Sequence, residues 1–254
     1  MKIIGSDYDG TLTHGGIGEE KLSAIKKWQS MGNLFGIVSG RGISFLDTLS
    51  QAFPSLNLDF FVACNGAYIT DGKGKLIHET RCSTLPLVPF AKTLFSWGCK
   101  YIHLNTDRYV CLVENIDDTP DYISKDQACL LENLPPVDYF NQVSLQLSSL
   151  EESARLTQKI AEIYGEWVTP LQNGICIDIV PVGVNKANGL YRIMEFFACE
   201  YKDVITVGDN HNDADMIREF RSYAMESGIQ EIKALANDTV NDVIELIEKE
   251  LKLG

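Results

Sequence analysis

The stretch IIGSDYDGT, residues 3–11, decides the fold. Two branched apolar residues, Ile3 and Ile4, run into a polar turn that carries Asp7, Asp9 and Gly10. A short apolar run closed by a turn reads as a strand buried on both faces. A helix is predicted over Glu19 to Met31, with Leu22, Ile25 and Trp28 near helical period and Gly32 at its end. LFGIV (34–38) and, past Pro54, FFVAC (60–64) are two more buried strands. Such strands alternating with amphipathic helices predict an α/β fold, a Rossmann-like doubly wound parallel sheet.

The last quarter returns to this order. Leu190, Ile193, Met194 and Phe197 stand at i, i+3, i+4 and i+7 of a helix after Lys186. VITV (204–207) is a buried strand, and Met216, Ile217 and Phe220 share one helix face. Val243, Ile244, Ile247 and Leu251 fit a terminal helix with Asn237 or Asp238 as N-cap. Between these segments the pattern changes. YIHLNT (101–106) and YVCLV (109–113) are close enough for a hairpin, while VSLQL (143–147) and ICIDIV (175–180) alternate with period two. Helices are predicted over Leu87–Trp97, stopped by Gly98, and around Leu156, Ile160 and Ile163, stopped by Gly165. We therefore expect an α+β domain over residues 82–182, inserted into a core built from residues 1–81 and 183–254.

The 254 residues carry a net charge of −13. That balance opposes nucleic-acid binding, which needs Lys and Arg to neutralise phosphates, and opposes adhesion to an anionic membrane. No apolar run approaches the ~20 residues of a membrane span. The seven cysteines are odd in number and none is spaced as CxxC, so neither a zinc site nor a disulfide framework is expected. A reducing, cytoplasmic setting is the expectation.

Four apolar runs end in polar, glycine-containing turns: SDYDGT (6–11), SGR (39–41), NGA (65–67) and GDNHND (208–213). The carboxyl ends of parallel strands line one edge of the sheet, where ligands bind. Asp7, Asp9, Ser39, Arg41, Asn65, Asp209, Asn212 and Asp213 are thus predicted to converge. Four carboxylates in a small volume repel unless a cation joins them, and oxygen ligands with a catalytic role favour Mg²⁺. Ser39 and the backbone amides of Gly10, Thr11 and Gly40 offer donors for phosphate, and Lys186 adds one positive charge. Asp7 and Asp9 are two residues apart at a strand end, where extended chain turns i and i+2 to the same face, so that one can attack phosphorus while the other handles protons. Taken singly each motif is weak: DYDGT is also an ordinary Asx turn and a lone Lys is mostly a surface residue. Their joint order at successive strand ends carries the prediction. Arg41 fits equally an ion pair with Asp9 or with Asp213. His211 reads as a solvent-facing loop residue, and His14, His78 and His103 show no constellation.

These motifs resemble those of the haloacid dehalogenase-like (HAD) superfamily phosphatases of the Cof-like subclass IIB, in order and over nearly the whole chain. The resemblance implies that Asp7 is the nucleophile and Asp9 the general acid and base, with Ser39 on the phosphate. NKANGL (185–190) resembles the third motif, which implies that Lys186 neutralises nucleophile and phosphate. GDNHNDADM (208–216) resembles the fourth, with Asp209 as metal ligand, Asn212 on the phosphate side, and Asp213, Arg41 and Asn65 supporting. The implied metal ligands are Asp7, the backbone carbonyl of Asp9, and Asp209. The insert lies where the subclass carries its cap domain, and Asn105, Asp107, Arg108, Asn173 and Asp178 are its candidates for substrate contact. Tyr8 departs from the pattern, standing where an aliphatic residue is usual, and Glu226-Ser227 replaces the usual Asn-Ala. The implied activity is Mg²⁺-dependent hydrolysis of a small phosphorylated metabolite such as a sugar phosphate, through an aspartyl-phosphate. Hexose phosphomutases share the fold and cap type and remain an alternative. A non-catalytic phosphate-binding regulator would lack one of Asp7, Asp9, Lys186 and Asp209, and all four are present.

Overall fold

Strand β1 (Ile3–Ser6) is fully buried, as its apolar run requires, and has parallel neighbours on both sides. The computed structural model describes residues 1–106, 108–123 and 127–253. In chain order the following strands are β2 (Leu34–Val38), β3 (Phe60–Ala63), β4 (Tyr68–Asp71), β5 (Leu76–Glu79), β6 (Tyr101–Asn105), β7 (Tyr109–Val113), β8 (Ala128–Leu130), β9 (Gln142–Gln146), β10 (Val168–Asn173), β11 (Cys176–Pro181), β12 (Val204–Gly208), β13 (Arg221–Met225) and β14 (Asp238–Val240). The helices are α1 (Glu19–Ser30), α2 (Phe45–Ala52), α3 (Leu87–Ser96), α4 (Leu150–Tyr164), α5 (Lys186–Phe197), α6 (Ala214–Glu219), α7 (Gln230–Leu235) and α8 (Val243–Lys252). Two compact units result. One comprises Met1–Arg41, Phe45–His78 and Asn185–Gly254, the other Gly42–Ser44 and Glu79–Val184.

Among the described residues the first unit's sheet has the order β14-β13-β12-β1-β2-β3-β4-β5. From β14 to β3 all pairs are parallel, and β4 folds back antiparallel on β3. Ile3, Val38, Phe60, Val62 and Val204 face α5 and α6, packing on Leu190, Ile193, Met216 and Ile217. Alternation turns Ile4, Phe35 and Ile37 to the other face. There α1 and α8 pack on each other and bury Ile25, Trp28, Leu246 and Ile247. Helices on both faces make the sheet doubly wound, as predicted from the strand–helix alternation.

The C-terminal end departs from expectation. The N-cap of α8 is Asp242, whose side chain accepts the Glu245 N–H at 3.0 Å. Neither Asn237 nor Asp238 caps it. Asn237 instead accepts the Ser222 N–H at 2.9 Å, and Asp238 opens β14.

In the second unit the sheet order is β10-β11-β9-β6-β7-β8, mostly antiparallel. Ile102, Leu104, Leu112, Val143, Leu145, Ile177 and Ile179 form a core with Phe90 and Leu94 of α3 and Leu156 and Ile160 of α4. On the opposite face His103, Ser144 and Asp178 stand in one cross-strand row. Asp178 is buried and accepts from Ser144 Oγ at 2.7 Å and from Gln142 Nε2 at 3.2 Å. His103, for which the sequence offers no partner, bonds to the hydroxyls of Tyr109 and Tyr122, and burial pulls its pKa down to about 4. Of the other insert candidates Asn105 is buried, and Asp107 lies outside the described residues. Among the described residues no helix is long and apolar enough to cross a membrane.

Candidate active site

The four motif-bearing strands β12, β1, β2 and β3 are adjacent in the sheet, so their carboxyl ends lie side by side. Asp7 follows β1, and its N–H donates to Val207 O at 2.9 Å, continuing the ladder one residue past the strand. Then the chain turns. Asp9 has φ −76° and ψ 124°, and Gly10 has φ +79°. Asp7 (φ −58°, ψ 158°) and Asp9 themselves keep extended backbone, and Gly10 takes the left-handed conformation of the turn. Asp7 is 5% exposed, whereas the Asp9 side chain is 49% exposed and pairs with Arg41. Arg41 has thus chosen Asp9 over Asp213.

Lys186 occupies the first position of α5, the positive end of a helix dipole, where a cation gains nothing from the helix itself. Its place is explained by its partners. Lys186 Nζ donates to Asp7 Oδ1 at 2.6 Å and to Asp213 Oδ1 at 2.5 Å, and all three side chains are buried. The other oxygen of Asp213 accepts the backbone N–H groups of Asp209 (2.9 Å) and Asn210 (3.0 Å). Asp213 is therefore fully engaged. Thr11 Oγ1 donates to Asp209 Oδ1 at 2.7 Å, tying the first loop to the last. Asn212 Nδ2 donates to Asn65 Oδ1 at 3.3 Å. Ser39 is buried at the end of β2, and its Oγ accepts the Arg41 N–H at 3.1 Å. The Gly10 N–H donates to Thr13 Oγ1 at 3.1 Å. His211 is exposed, as expected.

Sequence reasoning missed how Lys186 reaches its place. Asn185 caps α5 by accepting the Asn188 N–H at 2.8 Å, and an Asn directly before a helical pattern was the available signal. Gly66 (φ +110°) and Gly189 bring the loop after β3 and the first turn of α5 together. A Cβ on Gly66 would stand 2.4 Å from Asn185 O, and one on Gly189 3.2 Å from Gly66 Cα.

Asp7, Asp209 and Asp213 each offer an oxygen within 4.8 Å of the others. Three carboxylates against the one Lys186 ammonium leave two negative charges uncompensated when all are ionised. Burial raises the Asp7 pKa well above its ordinary value; Lys186 opposes this, and Asp213 and Asp209 add to it. Asp209 is raised for the same first reason, burial, with Asp213 adding and Thr11 opposing. Burial would pull Lys186 down, but Asp213 and Asp7 push it above its ordinary value, so it stays charged. An all-oxygen donor set with a surplus of two negative charges fits a hard divalent cation, with Asp7 and Asp209 better placed to hold it than the engaged Asp213.

Gly10 leaves room for this arrangement. A Cβ there would stand 2.6 Å from Asp209 Oδ2, in a backbone conformation with positive φ. Gly10→Ala is expected to destabilise the fold by about 1–3 kcal/mol and to raise the divalent-cation concentration needed for half-maximal turnover by displacing Asp209. Denaturant titration and a metal titration of turnover check both. An Ala variant matching wild type in both would mean that the loop and Asp209 are not in contact.

Comparison with known proteins follows the same lines. The family model for haloacid dehalogenase-like hydrolases matches residues 4–245. The chain belongs to this family. It is 25% identical over 271 residues to the 5-amino-6-(5-phospho-D-ribitylamino)uracil phosphatase YbjI of Escherichia coli (strain K12), covering 99% of this chain and 97% of that protein. It is 25% identical over 248 residues to the phosphatase of the same description, YcsE, of Bacillus subtilis (strain 168), covering 95% and 90%. Among solved structures the HAD subclass IIB sugar phosphatase BT4131 has the same fold, with a TM-score of 0.79 at 19% identity, covering 100% of this chain and 98% of that one. The resemblance read from the motifs is borne out. As a member of this hydrolase family with phosphatase relatives, the protein is an enzyme, a phosphoric monoester hydrolase. A non-catalytic regulator is set aside.

Proposed function

We propose that the protein is a Mg²⁺-dependent phosphatase that acts on a sugar phosphate or polyol phosphate through an aspartyl-phosphate on Asp7. The observation that carries this is the buried Asp7 carboxylate at the end of β1, held at 2.6 Å by Lys186 beside Asp209 and Asp213. Asp7 attacks phosphorus, and the bond from phosphorus to the ester oxygen breaks. Asp9 gives its proton to that oxygen, so that an alcohol leaves. Asp9 then takes a proton from water, whose oxygen attacks the aspartyl-phosphate and releases phosphate with Asp7 restored. Lys186 favours the ionised form of Asp7 against the effect of burial and offsets charge on the transferring group. Ser39, Asn212 and the N–H groups of Gly10, Thr11 and Gly40 are proposed as phosphate donors, the Gly10 N–H exchanging Thr13 for the ligand. Asp7, the Asp9 carbonyl and Asp209 would hold the Mg²⁺, which when bound supplies positive charge to the phosphoryl oxygens. Asp213, Arg41 and Asn65 support this set. The relatives named above act, by their names, on a phosphorylated ribityl chain and on sugar phosphates; both substrates are phosphate esters of polyols, which supports that substrate class. The seven cysteines are free thiols, in keeping with a reducing cytoplasm as the place of action.

Phosphate release from p-nitrophenyl phosphate and from a panel of sugar and polyol phosphates, with Mg²⁺ and with EDTA, tests this. Release that depends on Mg²⁺ is expected, and no release from any of them would end the proposal. Mg²⁺ at about a hundred times its Kd is also expected to stabilise the fold by about 2.7 kcal/mol, read as a higher Tm.

A further inference from the structure

Asp9 is gripped rather than free. Its two oxygens accept from Arg41 Nε at 2.8 Å and Nη2 at 2.7 Å, a fork that fixes both the position and the plane of a carboxylate. Half-exposed ion pairs by themselves hold little. This one is braced from behind. The Arg41 guanidinium carbon lies over the Phe45 ring, 5.1 Å from its centroid. Tyr8 meets that ring edge-on, with centroids 4.8 Å apart, and the buried Phe61 lies 6.3 Å from it. The Arg41 backbone is pinned too: its N–H donates to Ser39 Oγ at 3.1 Å and its carbonyl accepts the Cys64 N–H at 2.9 Å. Tyr8, the departure from the family pattern, is thus the far end of a chain that runs Tyr8, Phe45, Arg41, Asp9 and starts and finishes in the same turn.

We propose that Arg41, seated on the Phe45 ring that Tyr8 braces, is a positioning residue that aims the Asp9 carboxylate at the leaving oxygen. A proton donor acts only within hydrogen-bond reach, and a displacement of about 1 Å can lower a rate ~100-fold. This rests on Asp9 being the general acid and base.

Two substrates separate the steps: p-nitrophenyl phosphate, whose leaving group departs readily as an anion, and phenyl phosphate, whose leaving group needs the proton more. Arg41→Ala is expected to lower kcat/KM for phenyl phosphate about tenfold more than for p-nitrophenyl phosphate. Arg41→Lys should recover part of the loss, because Lys returns the charge but not the fork. Phe45→Leu should show the same leaving-group pattern at smaller size. In an Asp9→Asn background Arg41→Ala should lower kcat/KM no further. Arg41 is half-exposed, so its variants are expected to melt like wild type. Equal losses on both substrates, or a full further loss in the Asp9→Asn background, would overturn the positioning role. An Asp9→Asn variant that treats both substrates as wild type does would remove the assignment of Asp9 itself. A leaving-group effect in Asp9→Asn alone, absent from Arg41→Ala, overturns only the role of Arg41.

Discussion

Asp7→Asn is expected to lower phosphate release by at least about 10⁴-fold, since an amide at this position would remove the covalent step proposed for Asp7. The same substitution is expected to make the metal-free protein more stable. Asp7 is buried beside two further carboxylates and shares its single cation with Asp213. Burial raises its pKa in the folded state above that in the unfolded chain. The sign follows from proton linkage. Below the unfolded value, about 3.9, Asp7 is protonated in both states and does not oppose folding. As pH rises through the folded-state pKa the wild type loses stability by ionising Asp7, and the Asn variant does not. Lys186 keeps Asp213 in either protein. Thermal or urea unfolding in EDTA, from acid to neutral pH, should therefore show the variant gaining on wild type as pH rises. Excess Mg²⁺, the cation proposed for this site, should narrow or reverse the difference, because it would bind the wild-type carboxylates better than the amide. A variant that is less stable than wild type in EDTA at neutral pH would show that Lys186 alone satisfies the cluster.

The parts of this site that could be read in the sequence are those fixed by strand ends. Asp7, Ser39, Asn65 and Asp209 each follow a short apolar run, and parallel pairing brings such positions to one edge whatever their separation in the chain. What could not be read depends on how the chain leaves the strand. The shared face expected of Asp7 and Asp9 says nothing of burial or partner: Asp7 is buried on Lys186, while Asp9 stands half-exposed on Arg41. The Asn185 cap marks where the helix of Lys186 starts, but the burial of its side chain has no local marker. It follows from the close approach of Gly66 and Gly189, two glycines that look like ordinary turn and helix residues until the loop and helix are docked. At the C-terminal end, Asn237 and Asp238 were natural cap candidates by type. A strand of three residues, Asp238–Val240, is too short for any periodicity to announce it, and it moves the cap to Asp242. In the insert, the strands β6, β7, β9 and β11 follow their apolar patterns, but the bonding of His103 to Tyr109 and Tyr122 joins residues that only the fold places together.

Lys186→Met is expected to be the most destabilising single change in the site. Its ammonium is fully buried, with Asp7 and Asp213 at 2.6 and 2.5 Å. Removing one partner of a buried ion pair leaves the other charge desolvated and unmatched, which costs about 3–5 kcal/mol. Here two carboxylates lose their shared partner, although Asp213 keeps two backbone N–H donors. The loss should depend on pH. Without the ammonium the folded-state pKa of Asp7 rises further, so the variant remains nearer to wild type in acid, where Asp7 is protonated, and falls away from it as pH approaches neutrality. Adding Asp7→Asn to Lys186→Met removes one of the stranded charges. The double variant is therefore expected to be more stable than Lys186→Met alone at neutral pH in EDTA, by more than Asp7→Asn stabilises the wild type, because the charge it removes is then unpaired. Both variants should be inactive, which separates the electrostatic effect from the catalytic one. Urea unfolding of wild type and the three variants at two pH values measures the whole cycle. If Lys186→Met unfolds at the wild-type midpoint at neutral pH, the carboxylates around it are not ionised together, and the need for a divalent cation at this site disappears with them.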